Sequence, residues 1–202
     1  KSVLVDLNDA AATLPNSYNS VENITPLETP LSSTINGAAL ATPVFLSLYA
    51  ENDLRLDKYF AETDEKGFRK NKKAGSNNYL CTFRVGEIYL TAAEAAARLG
   101  ELSQARTRLL ELMRKRYAPE AYEAKSVVVN AMDKEALVQE ILDERARELA
   151  FEGHRWFDLR RSTRPRLEKV LDGTRYVLEE NDARYTLAIP KEAIEANPGL
   201  LN

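Results

Sequence analysis

Residues 143–161, DERARELAFEGHRWFDLRR, put five carboxylates and five arginines into nineteen positions, together with the only histidine, His154, and the only tryptophan, Trp156. On a helix, Glu144, Glu148 and Glu152 recur every four residues and share one face. Leu137 and Ile141 lie on that face one and two turns earlier, so the acids continue an apolar stripe. A carboxylate against packed apolar surface is costly unless a cation and further hydrogen bonds compensate it. The nearest cations are Arg145, Arg147, Arg155, Arg160 and Arg161, and arginine suits the role because its planar fork meets a carboxylate at two points and keeps its charge when buried. The expectation is a structural ion-pair network at a helix–helix contact, made of Glu144, Arg145, Arg147, Glu148, Glu152, Arg155, Asp158 and Arg160.

Two kinds of chemistry compete with that reading. A di-metal carboxylate site in a helical bundle needs Glu-x-x-His on two helices, whereas His154 stands two residues after Glu152, across Gly153, and has no second copy. A glycosidase needs one carboxyl kept protonated near neutral pH, and a surplus of neighbouring arginines acts in the opposite direction. One histidine and one cysteine leave no zinc set and no internal disulfide, so no metal and no cofactor is expected. No nucleophile–base pair and no phosphate-cradling glycine loop is present, and the chain is not expected to be an enzyme. A net charge of −3 offers no footprint for nucleic acid. The one basic cluster, Arg160, Arg161, Arg164 and Arg166, falls where a helix should end and cations complement its dipole. No apolar run is long enough to span a bilayer.

The chain divides by character near residue 83. Residues 1–83 hold Pro15, Pro26, Pro30 and Pro43, with Ser, Thr and Asn crowded between them. That is turn and loop chemistry, expected to be ordered only by packing on the helical part, and residues 42–56 are its most helix-like piece. Residues 66–76 are basic and read as a solvated loop or short hairpin. From Arg84 the pattern is helical. Ile88, Ala92, Ala95, Ala96 and Leu99 suggest a stripe of small residues that lets another helix approach, ended by Gly100 as a left-handed cap. A second helix from Ser103 should turn Ala105, Leu109, Leu112 and Met113 inward. The pair looks like one tetratricopeptide unit, a helical hairpin that needs neighbours to bury its faces. Residues 118–130 read as a connection, with Pro119 stopping the preceding helix. Asp133 caps the charged helix, which should run to Phe151, and Gly153 breaks it. Trp156 is expected to fill core in a short helix that follows. Residues 176–178 and 185–189 alternate like a small hairpin, and residues 191–196 make a terminal helical turn. The fold class is mainly α, with tetratricopeptide-like helical hairpins, loop-rich segments and a small β-hairpin.

The run Glu144, Arg145, Arg147, Glu148, Leu149, Ala150, Phe151, Glu152, Gly153, His154, Arg155, Trp156, Phe157, Asp158, Leu159, Arg160, Arg161 resembles the signature of the SusD/RagB family of outer-membrane nutrient-binding lipoproteins. Arg84, Glu87, Tyr89, Leu90, Ala93, Glu94 and Ala95 are similar to that family's R-x-x-E-x-Y-L-x-x-A-E-A helix. Asp53 and Arg55 match its D-x-R segment, and Ile189, Pro190, Asn197 and Pro198 resemble its closing stretch. The resemblance runs from about residue 45 to the end and implies that residues 84–202 are the helical C-terminal region of a longer protein. Family members carry a secretion signal and a lipidated cysteine, which Lys1 and the internal Cys81 do not supply, so any membrane attachment is expected through a lipid anchor outside this chain. The implied function is non-catalytic capture of glycans or other nutrients at the cell surface, for delivery to a SusC-like TonB-dependent transporter. Sugar recognition needs flat aromatic faces and amide partners. Tyr18 with Asn19, and Tyr79 with Asn77 and Asn78, have that composition, although the same residues serve equally as turn asparagines with an anchoring tyrosine. A tetratricopeptide-like scaffold for peptides, and a glycosidase using Glu148 or Glu152, are the alternatives.

Overall fold

The computed structural model describes residues 3–17, 19–27, 40–73, 81–171, 173–197 and 199. The chain forms two compact units, Lys1–His154 and Arg155–Asn202.

Within the described residues, the first unit opens with β1 (Asn23–Leu27) and β2 (Leu40–Ala41), followed by α1 (Pro43–Leu46) and α2 (Arg55–Tyr59). Then come β3 (Phe60–Thr63), β4 (Arg69–Asn71) and β5 (Cys81–Arg84). Four helices follow: α3 (Val85–Leu99), α4 (Leu102–Met113), α5 (Pro119–Ala131) and α6 (Lys134–Glu148). β1 pairs antiparallel with β5, and β4 lies between β2 and β3. The fold is mainly helical with small sheets, as expected.

Local chemistry explains the element boundaries. Thr42 accepts from the Phe45 amide and starts α1, but the helix-like stretch of residues 42–56 is split, with turns before α2. Asp64 Oδ1 accepts from the amides of Lys66 and Phe68, closing the β3–β4 hairpin around Gly67 at φ +82°. Gly100 ends α3 at φ 88°. Asp133 starts α6 by accepting from the Ala136 amide. Residues 118–130 are not a connection. Pro119 stands in the first turn of α5, where its missing N–H costs nothing, so the residue read as a stop is a start.

The α3–α4 hairpin carries the helical core, and its second helix buries Ala105, Leu109, Leu112 and Met113. The inward face of α3 differs from the expected one. Of the expected stripe only Ala96 is buried, joined by Leu90, Ala93 and Ala97, whereas Ile88 is 41% and Leu99 76% exposed, with Ala92 and Ala95 exposed between them. α3 is alanine-rich all round, so its periodicity offers two faces and packing chose the opposite one. A second, aromatic core gathers Tyr49, Tyr59 and Phe60 with Phe45 and Phe151, whose rings meet edge to face.

The second unit holds α7 (Arg155–Arg161), the hairpin β6 (Leu167–Leu171) with β7 (Thr174–Leu178), a 3₁₀ turn (Ala183–Tyr185) and α8 (Lys191–Ala196). The hairpin is one strand earlier than expected. Gly173, at φ 75°, lies between Leu171 and Thr174, which pair across the hairpin. Residues 176–178 are therefore its second strand. Tyr185 falls in the 3₁₀ turn, which Asp182 caps through the Arg184 amide. Trp156 does not fill core. It is 37% exposed and stacks on the buried Tyr185.

Candidate functional site

α6 carries the first unit's most unusual feature. Its stripe begins with Leu137 and Ile141 in the helical core and ends near Ala150 in the aromatic core. Glu144 and Glu148 lie between, both without exposed surface, and Glu152 follows the helix. The acids thus join two apolar clusters where water cannot reach them, and every charge must be met from within.

Three arginines from outside the helix converge on Glu148. Arg84 donates to its Oε1 at 2.6 Å, Arg116 Nε to its Oε2 at 2.9 Å, and Arg55 Nη1 to the same Oε2 at 3.0 Å. Arg55 also donates to Glu144 at 2.7 Å and grips Asp53 with a two-point fork at 2.8 and 2.7 Å. Arg147 and the Tyr117 hydroxyl donate to Glu144 Oε2 at 2.8 and 3.3 Å. Glu22 accepts from Arg84 at 3.1 Å, from Arg116, and from the Val5 and Gly86 amides. Glu152 takes Arg84 at two points, both 2.9 Å, and the Lys73 ammonium.

All five N–H donors of Arg84 find acceptors: Glu152 twice, Glu22, Glu148 and the Glu148 carbonyl. Lysine has three donors and no fork, so it cannot fill this position. Lys73 in turn lies over the Tyr59 ring at 4.4 Å and donates to the carbonyls of Glu148 and Ala150. The Glu148 carbonyl belongs to the last turn of α6, where the helix dipole favours a cation. Five carboxylates, Glu22, Asp53, Glu144, Glu148 and Glu152, thereby face five cations, Arg55, Lys73, Arg84, Arg116 and Arg147.

The electrostatics follow from that balance. Burial pushes the Glu144 carboxyl up, but Arg55 and Arg147 outweigh it and hold it at about 2. Burial acts on Glu148 and Glu152 in the same way. Arg116, Arg84 and Arg55 overcome it at Glu148, which lies well below the usual range, and Arg84 and Lys73 lower Glu152. All three stay ionised near neutrality, and none can donate a proton to a leaving group. Burial lowers the Lys73 ammonium to about 8, against the pull of Glu152.

Of the expected cations, Arg147 meets Glu144 at 2.8 Å. Arg145 is buried and donates to Thr91 Oγ1 at 3.3 Å. Arg155 and Arg160 are exposed, with no ion pair among the described residues, and Asp158 pairs with Arg161 at 2.7 Å in the second unit. Asp53, Arg55 and Arg84 stood in the sequence as motif letters without a role. Glu22, Lys73 and Arg116 carried no signal, each sitting in a polar or basic stretch that reads as solvated. Asn19 is exposed in a turn. Tyr18, Asn77, Asn78 and Tyr79 lie outside the described residues.

A separate apolar groove of about 340 Å³ lies between residues 50–52 and α5, lined by Tyr117, Ala121, Ala124 and Val128, with Glu51 and Lys125 beside them. Among the described residues, no group of three or more His, Cys, Asp or Glu side chains could hold a metal ion, and no helix is long and apolar enough to cross a membrane.

The SusD family model matches residues 38–202, and the chain belongs to that family. A SusD-like carbohydrate binding protein from Bacteroides vulgatus shares the fold, with a TM-score of 0.61 and 18% sequence identity over 91% of this chain. The match covers 49% of that protein, so the chain spans about half its length. No curated protein matches the sequence.

Proposed function

We propose that this chain belongs to a non-catalytic protein that binds glycans or similar nutrients at the outer-membrane surface and passes them to a SusC-like TonB-dependent transporter. Membership of the SusD family carries this reading, and the Bacteroides vulgatus protein of the same fold is described as carbohydrate binding. In this reading the outer membrane is reached through a lipid anchor rather than a spanning helix. The ionised state of Glu144, Glu148 and Glu152 favours binding over glycoside hydrolysis, because that reaction needs a protonated carboxyl. The buried network serves as the rigid frame, and Tyr18, Asn19, Asn77, Asn78 and Tyr79 are proposed to contact sugar. Calorimetric titration with maltoheptaose, cellohexaose and xylohexaose tests the reading: micromolar to millimolar binding without sugar release is expected. Tyr18→Ala and Tyr79→Ala should each weaken it about tenfold. Sugar release that disappears in Glu148→Gln would establish the glycosidase instead.

The apolar groove beside α5 favours a second reading, a tetratricopeptide-like scaffold that holds a peptide. Recovery of a soluble peptide partner without a transporter would support it.

A further inference from the structure

Trp156 is set differently from the rings of the aromatic core. The rings around Phe60 are buried or half-buried and meet edge to face. The Trp156 indole instead lies parallel to Tyr185, with centroids 5.1 Å and planes 15° apart, and it retains 37% of its surface. Tyr185 beneath it is fully buried, and its hydroxyl donates to the Pro165 carbonyl. A buried, anchored ring therefore backs the partly exposed indole, which limits what Trp156 loses in side-chain freedom when something packs on it.

The neighbouring residues suit the same use. Arg155 is exposed, makes no ion pair among the described residues, and lies near enough for its charge to act on the Tyr185 phenol. Phe157 follows at 62% exposure. A pyranose ring offers an apolar C–H face for an aromatic surface and equatorial hydroxyls for a guanidinium donor. A purely apolar ligand would leave Arg155 unused, and a phosphate would gain nothing from the indole.

We infer that Trp156, backed by Tyr185 and flanked by Arg155, is a sugar-stacking platform in the second unit, with Arg155 donating to ring hydroxyls. This rests on the glycan-binding reading above, and it names a contact that the loop tyrosines do not provide. Because Trp156 is the only tryptophan, its fluorescence reports this one position in the unlabelled chain.

The test titrates the 202-residue chain with maltoheptaose, cellohexaose and xylohexaose, followed in parallel by calorimetry, indole emission and acrylamide quenching. The expected result is calorimetric binding of at least one sugar, with a shift in emission and protection of the indole over the same concentration range. Trp156→Ala should weaken that binding about tenfold, Trp156→Phe about threefold or less, and Arg155→Met by an intermediate factor. Far-ultraviolet circular dichroism checks that each variant stays folded, and the emission readout needs no variant at all. Calorimetric binding with unchanged emission and quenching overturns the platform while leaving the glycan reading in place. No binding of any of the three sugars overturns both.

Discussion

The acids at the end of α6 and the arginines of α7 come from one continuous run of mixed charge and aromatic residues, yet they finish in opposite surroundings. Glu144, Glu148 and Glu152 are buried and meet arginines from β5, from α2 and from the turn after α4. Arg155 and Arg160, a few residues on, are exposed and make no ion pair among the described residues. Apart from Arg147 on Glu144, the acids are not met by the nearest cations. A fully buried carboxylate needs donors along several directions at once, and one helix supplies donors from one side only. Partners must therefore arrive from elements packed around it. Where the helix meets water, solvent satisfies the same groups and pairing adds little.

The contrast can be broken most severely at its centre. Glu148→Ala strands Arg55, Arg84 and Arg116 in a site without water, and the expected loss in urea unfolding is on the order of 3–5 kcal/mol or more. Arg160→Ala, from the exposed half, should stay within about 0.5 kcal/mol. Comparable losses would mean that the two regions do not differ in kind.

The pH dependence sharpens the comparison, because two buried groups both contribute more as pH rises, but in separate windows. Glu144 is held at about 2 against an ordinary 4.5. Its contribution is complete above pH 4.5 and is lost as pH falls toward 2, a change of about 3 kcal/mol. Lys73 is lowered to about 8 from 10.5. Between those values the unfolded chain binds more protons than the folded one, so the Lys73 contribution becomes more favourable as pH rises, again by about 3 kcal/mol. The difference in urea stability between the native chain and Lys73→Met should therefore move in favour of the native chain from pH 8 to 10.5. A difference that stays constant or moves the other way would mean that Lys73 keeps its proton at least as firmly folded as unfolded.

A smaller loss than at Glu148 is expected at Gly86. A Cβ there would stand 2.6 Å from Arg84 Nη1, 3.1 Å from Glu148 Oε1 and 3.2 Å from Glu22 Oε2. The first turn of α3 can lie against the network only without a side chain. Gly86→Ala is expected to cost about 1–3 kcal/mol in the same unfolding assay. Addition of the full penalties in the Gly86→Ala, Glu148→Ala double variant would mean that the glycine acts independently of the network.

Much of the architecture was legible in the residues. The spacing of Leu137, Ile141, Glu144, Glu148 and Glu152 marked a buried acidic stripe, Gly100 and Asp133 marked helix ends, and the inward face of α4 followed its periodicity. The inward face of α3 was not legible, because alanines on both sides leave the period without a preferred direction. Pro119 misled because proline both ends a helix and begins one, and which it does depends on the chain ahead of it. The hairpin was misplaced because alternation at residues 185–189 outweighed the Asp-Gly pair at 172–173, the stronger local turn signal.

By itself, the sequence determined that this chain is mainly helical, that α6 must bury charge, and that arginine must neutralise it, since residue type, period and the cost of an unpaired buried ion are written in the chain. Only the tertiary structure decided that the partners of Glu144, Glu148 and Glu152 include Arg55, Lys73, Arg84 and Arg116, from 32 to 93 positions away from these acids. Electrostatic attraction at hydrogen-bond distance depends on position in space, and spacing along the chain carries that information only between residues that share an element.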